Sequence, residues 1–192
     1  SSWLFINATP NWIHTKMKTG ELDDFYFEYA PPVALADTSR LIHSVNQVHA
    51  GTAPLESSYT GEGVIIGIID QGVDWQHPDF LSPNGDTRVL KYWDHSNSGP
   101  NPPAAYGYGQ LWDSTDINNG TCTSLEESTA HGTSVAGIAL GNGVANGTNR
   151  GMAPNASIIV VESDFSLPNW TLTIADAIDF IFNEAEALGM PA

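Results

Sequence analysis

Gly61-Glu62-Gly63-Val64-Ile65-Ile66-Gly67-Ile68-Ile69-Asp70-Gln71-Gly72-Val73-Asp74-Trp75-Gln76-His77-Pro78-Asp79-Phe80 decides the architecture. From Val64 to Ile69 the run is apolar or Gly, with no charge. Such a run reads as a strand buried on both faces, the kind found in parallel sheets. It ends on an acid and a Gly turn. A carboxylate at the C-terminal end of a buried parallel strand stands where α/β proteins place ligands and reacting groups. Alone, Asp70 also reads as a turn cap, and if buried it needs a donor.

Working outward, Ser157–Glu162 is a second buried strand, and residues 88–93 read as another. Residues 131–141 form a helix of small residues opened by His131. Thr173–Leu188 forms an amphipathic helix, with Ile174, Ala177, Ile178, Ile181, Phe182 and Ala185 on one face and Gly189 as its stop. Alternating strands and helices imply right-handed crossovers and an α/β, doubly wound, mostly parallel sheet. Residues 95–127, rich in Gly, Pro, Asn and Ser, read as one long loop.

Residues 1–58 differ in texture and read as an N-terminal extension or the end of a pro-segment, with the main domain over 59–192. A strand is expected at Phe25–Tyr29, before Pro31-Pro32, and a helix over Thr38–Ala50 capped by Asp37 or Thr38. Both ends look cut from a longer chain. No signal peptide is present, and no apolar run approaches membrane-spanning length.

Composition excludes some functions. The formal charge is −16 with only six Lys and Arg. That surface repels phosphates and anionic membranes, so nucleic acid is not an expected partner. Cys122 is alone, which excludes an intrachain disulfide and a Cys-based zinc site. The sequons at Asn7, Asn119, Asn146, Asn155 and Asn169 matter only in a eukaryotic secretory pathway. Gly61, Gly63 and Gly67 precede and enter their strand, whereas a dinucleotide fingerprint follows its strand, so the nucleotide-binding reading fails on order.

His131 is a structural histidine if taken alone. Its pairing with Asp70 changes that weight. An Asp that accepts from one ring nitrogen fixes the tautomer and stabilises the imidazolium, leaving the other nitrogen as a general base.

Four segments carry a resemblance: the Asp70-Gln71-Gly72 turn, His77-Pro78-Asp79, His131-Gly132-Thr133-Ser134-Val135-Ala136-Gly137, and Gly151-Met152-Ala153-Pro154-Asn155-Ala156. In this order they resemble the first half of a subtilisin-like serine protease, over roughly residues 59–192. The resemblance implies a serine endopeptidase acting on polypeptides, with Asp70 as orienting acid and His131 as general base. It implies an extracellular or cell-surface location and no required cofactor. It also implies that the nucleophilic Ser, the oxyanion-hole Asn and a substrate-binding strand lie later in the chain. The matching expectations are a subtilisin-like sheet incomplete in this chain, a chain inactive alone, and a strand edge at residues 64–69 that either self-associates or is covered by residues 1–58.

Two positions depart from the family pattern. Gln71 replaces a small hydroxyl residue, and Ser134 replaces the second His of the helix motif. Gln71 supports a second reading, a non-catalytic binding or pseudoenzyme module on the same scaffold. Asp79 matches a position that binds structural Ca²⁺ in the family, with residues 141–149 offering amide and carbonyl oxygens; a local turn cap is the alternative. His77 with Asp79 as a transition-metal pair is the weaker option.

Overall fold

A computed structural model describes residues 9–21, 35–126 and 130–192. The strand expected at Phe25–Tyr29 lies outside the described residues. By packing, the chain divides into Ser1–Val33 and Ala34–Ala192. This division differs from the boundary at residues 58/59 expected between an N-terminal extension or end of a pro-segment and the main domain. In the first unit, α1 (Pro10–Lys18) opens on Thr9, whose side chain accepts from the Trp12 N–H, and Pro10 takes the first helical position.

In the second unit, the helix expected over Thr38–Ala50 is two short ones, α2 (Leu35–Ile42) and α3 (Val45–His49). Ser44 separates them in a left-handed conformation, φ 58°. His49 Nε2 lies 2.8 Å from the Met152 carbonyl oxygen, which ties α3 to the sheet-bearing part of the same unit.

The sheet is open and four-stranded, in the order β1-β4-β2-β3. Its strands are β1 (Ile65–Asp70), β2 (Val89–Asp94), β3 (Gln110–Asp113) and β4 (Ser157–Glu162). β4 pairs in parallel with β1 and β2, while β2 pairs antiparallel with β3. The central strand β4 carries Ile158, Ile159, Val160 and Val161, all fully buried. Their period-two alternation separates two cores. Ile158 and Val160 join Ile68, Val89, Tyr92, Phe80, Ala136 and Leu140 on one face. Ile159 and Val161 join Ile65, Trp93, Ala177, Phe180, Ile181 and Ala185 on the other. The first face is covered by α5 (His131–Leu140) and the second by α6 (Trp170–Leu188). Helices on both faces make the sheet doubly wound, as the strand and helix order implied.

Two expectations are corrected. Residues 95–127 are not one loop, since they include β3 and α4 (Ser114–Asn118). Asp113 closes a capping box there: it accepts from the Thr115 and Asp116 N–H groups, and Asp116 accepts from the Asp113 N–H. The buried face of α6 is also rotated from the expected one. Thr173, Ala177, Phe180, Ile181 and Ala185 are buried, whereas Ile178 and Phe182 are about half exposed, at 46% and 57%. The sheet sets this rotation. Gly67 leaves room on β1 that the Ile181 side chain fills, and a Cβ there would come within 2.7 Å of it. Phe180 packs on Trp93 with ring centroids 5.0 Å apart.

Candidate active site

Asp70 ends β1 and His131 opens α5, so strand and helix deliver the two side chains to one place. His131 Nδ1 lies 2.9 Å from Asp70 Oδ1 and 3.0 Å from Oδ2. Nδ1–H donates and the carboxylate accepts, which assigns the tautomer. The Gln71 N–H donates to the same Oδ1 at 2.8 Å. Asp70 is nearly buried, with a side chain 11% exposed, while that of His131 is 67% exposed. The imidazole is therefore anchored through Nδ1 while most of its surface faces solvent. The Asp70 hydrogen bond and charge raise the His131 pKa above its ordinary value, with a lesser contribution from Glu126.

Close approach of helix to strand makes this contact. A Cβ at Gly132 would fall 2.0 Å from the Gly72 carbonyl oxygen and 2.9 Å from Asp70 Cβ. The position tolerates no side chain, which is a steric reason for Gly after the His.

The turn that follows Asp70 is fixed from both sides. Tyr92, fully buried on β2, accepts from the Val73 N–H at 3.1 Å and donates to Glu162 Oε2 at 2.7 Å. Burial and the neighbouring Glu162 push its hydroxyl pKa up, so it stays protonated and able to donate. From the other side, Thr133 Oγ1 accepts from the Asp74 N–H at 2.8 Å. Glu126 accepts from the Gly132 N–H at 3.1 Å, the Thr133 N–H at 2.8 Å and the Thr133 hydroxyl at 2.6 Å. Sequence reasoning passed over Tyr92, Glu162 and Glu126. For Glu126 a signal existed: Ala130, just before the helix, has no side-chain acceptor, so another residue must satisfy the first N–H groups.

Asp79 is brought elsewhere, to the other end of α5. Its Oδ1 accepts from the Ala145 N–H at 2.8 Å, and its carbonyl accepts from the Asn142 N–H at 3.1 Å and from Arg88 Nη2 at 2.6 Å. Arg88 also donates to the carbonyls of Leu140 and Ala156. The loop expected to supply ligand oxygens is thus clasped by N–H donors with a guanidinium alongside. Ca²⁺ takes six to eight oxygens. No group of three or more His, Cys, Asp or Glu that could hold a metal occurs among the described residues. Around Asp79 the carboxylate is engaged by the Ala145 N–H of that loop. His77 is likewise used locally, its Nδ1 accepting from the Asp79 N–H at 3.3 Å.

At position 71 the main-chain N–H makes the contact to Asp70, and the Gln71 side chain is exposed. Any residue but Pro would supply that donor. The departure at Gln71 therefore leaves the acid's support in place.

The arrangement can take a proton on His131 Nε2 and stabilise the resulting cation through Asp70. The chain is 31% identical over 136 residues to the PII-type proteinase of Lactococcus lactis subsp. cremoris, covering 63% of this chain and 7% of that protein. It is 32% identical over 101 residues to the minor extracellular protease Vpr of Bacillus subtilis strain 168, covering 53% and 10%. It is 33% identical over 88 residues to neuroendocrine convertase 2 of Bos taurus, covering 46% and 12%. The chain thus spans about a tenth of the length of these relatives. In fold it is similar to the Clostridium perfringens CspB protease, with a TM-score of 0.60 at 24% identity over 77% of this chain and 31% of that one. A sequence profile of the subtilase family matches residues 61–187, and the chain belongs to that family.

Proposed function

We propose that this chain is the N-terminal part of the catalytic domain of a longer serine endopeptidase of the subtilisin kind, acting on polypeptides outside the cell. The observation that carries the reading is the contact of His131 Nδ1 with both Asp70 oxygens beside a solvent-open ring. In the reaction, a serine hydroxyl supplied from beyond Ala192 attacks the scissile carbonyl carbon. His131 Nε2 takes the hydroxyl proton and then gives it to the leaving amine. Asp70 stabilises the imidazolium between those steps and stays ionised. Water repeats the sequence on the acyl-enzyme and releases the second product.

The extracellular placement rests on relatives such as the Bacillus protease, whose name describes it as extracellular. No described helix is long and apolar enough to cross a membrane. Residues before Tyr59 are proposed to include the junction of an inhibitory segment.

The test is hydrolysis of casein, with labelling by a fluorophosphonate, comparing the longer protein with the 192-residue chain. The longer protein hydrolyses casein and is labelled on one serine beyond Ala192. The chain alone does neither, because an acid–base pair without nucleophile and oxyanion hole lacks the largest catalytic contributions. Labelling of a serine within residues 1–192, or no activity in the longer protein, contradicts the reading.

The terminal position of β1 in the sheet supports a further part of the proposal, self-association of the isolated chain. Among the described residues, Pro191 covers the start of that edge, accepting from the Ile65 N–H at 2.8 Å. Sedimentation across a salt series shows association growing as salt screens the net charge; a monomer at every salt and concentration refutes it.

A further inference from the structure

α5 lacks a local N-terminal cap. Its capping position is Ala130, which has no side-chain acceptor and sits at φ 50°, a left-handed conformation that costs an L residue energy. The first turn of a helix presents unsatisfied N–H groups and the positive end of the helix dipole. His131 stands at that end. A positive helix end disfavours an imidazolium, the species a general base must become. Left alone, the helix that delivers His131 would therefore weaken it as a base.

Glu126 answers both problems. It is 9% exposed, and it accepts from the Gly132 and Thr133 N–H groups and from the Thr133 hydroxyl. Thr133 Oγ1 in turn accepts from the Asp74 N–H, in the turn that leaves Asp70. One carboxylate thus closes a chain of hydrogen bonds from the helix carrying His131 to the turn carrying Asp70. Its negative charge also offsets the helix end.

Resting on the reading of His131 as general base, we infer that Glu126 is a positioning residue of the site: it replaces the missing cap of α5, holds the His131 ring on Asp70 and preserves the ring's basicity. Among the described residues, the charged groups that act on the ring are Asp70 at the end of β1 and Glu126 from the segment before α5. Both favour the imidazolium, so removing either lowers the ring's affinity for a proton.

The experiment is an NMR titration of the His131 ring in the 192-residue chain, with the downfield Nδ1–H signal of a His–Asp pair as a second readout. It compares wild type with Glu126→Gln, Glu126→Ala, Glu126→Asp and Asp70→Asn. Glu126→Gln keeps one acceptor oxygen and loses the charge; it lowers the His131 midpoint and weakens the Nδ1–H signal. Glu126→Ala lowers both further, and Glu126→Asp restores part of each. If Glu126→Ala does not fold, Glu126→Gln alone decides. A purely structural cap would lower the melting temperature while leaving the midpoint and the downfield signal at wild-type values, and that result overturns the inference. No readout requires catalysis, so an absence of peptidase activity in the longer protein would not be mistaken for failure of this inference. An unmoved midpoint in Asp70→Asn would instead indict the acid–base pairing itself.

Discussion

His131 Nδ1 meets both oxygens of Asp70, at 2.9 and 3.0 Å, only because Gly132 lets α5 come within van der Waals range of the turn after β1. The pair therefore depends on a missing methyl group. Gly132→Ala places a Cβ 2.0 Å from the Gly72 carbonyl oxygen, and backbone must move to admit it. The expected cost is about 2–3 kcal/mol, the upper range for overpacking, with His131 displaced from Asp70. Urea unfolding measures the first and the His131 titration the second. Wild-type values for both would show that the close approach is not required.

Tyr92 supports the same turn from β2, within the core that α5 covers. Tyr92→Phe keeps the buried ring and removes the oxygen that receives the Val73 N–H and donates to Glu162. Stability falls by about 1–3 kcal/mol, because the partners lose a buried hydrogen bond. Hydrogen exchange at Val73 speeds up selectively. Unchanged protection at Val73 would contradict the bond.

His95 makes the fold acid-sensitive. It packs edge-on against Trp93 with centroids 4.1 Å apart, and neither ring nitrogen meets a hydrogen-bond partner among the described residues. Burial lowers its pKa to about 4, against the ordinary 6.5. For a base with a depressed folded pKa, the unfolded state binds the proton more readily. Stability is thus intact above pH 6.5 and drains as pH falls toward 4. His95→Gln reduces this loss by on the order of 1 kcal/mol, less than the full shift because the ring keeps some solvent access. Melting temperatures at neutral and acid pH, wild type against variant, measure the difference. Equal acid losses would refute the assignment.

Asp79 Oδ1 holds its loop through the Ala145 N–H. A chelator is therefore expected to leave the melting temperature unchanged, and added Ca²⁺ to leave it so too. Asp79→Ala strands the Ala145 N–H and costs about 1–3 kcal/mol. A rise in melting temperature on adding Ca²⁺, abolished in Asp79→Ala, would establish a calcium site instead.

The sequence exposes what repeats or carries special chemistry. The apolar runs of β1 and β4 end on acids and were legible as buried parallel strands, since they are short, rich in β-branched residues and bounded by turn signals. Asp70 and His131 were legible as candidates through local motifs. The rotation of α6 was not, because that helix is apolar on more than one side and only Gly67 and Trp93 choose the face. β3 and α4 were hidden in a stretch whose Gly and Pro content reads as loop, though Asp113 and Asp116 spell a capping box. The split between α2 and α3 turns on Ser44 at positive φ, which no propensity announces. Glu126 was missed although Ala130 at the capping position left the first N–H groups of α5 in need of an acceptor from nearby in the chain.

The account's central claim is that His131, oriented by Asp70, is the general base of a serine peptidase. The most direct measurement is the pH dependence of fluorophosphonate labelling in the longer protein, compared among wild type, His131→Ala and Asp70→Asn. The account predicts that wild-type labelling rises with pH through the midpoint at which His131 itself titrates, which lies above the ordinary value because of Asp70. It predicts a loss of roughly four orders of magnitude in Asp70→Asn and a loss at least as large in His131→Ala. Labelling of His131→Ala at the wild-type rate, or a wild-type pH profile in Asp70→Asn, would contradict it.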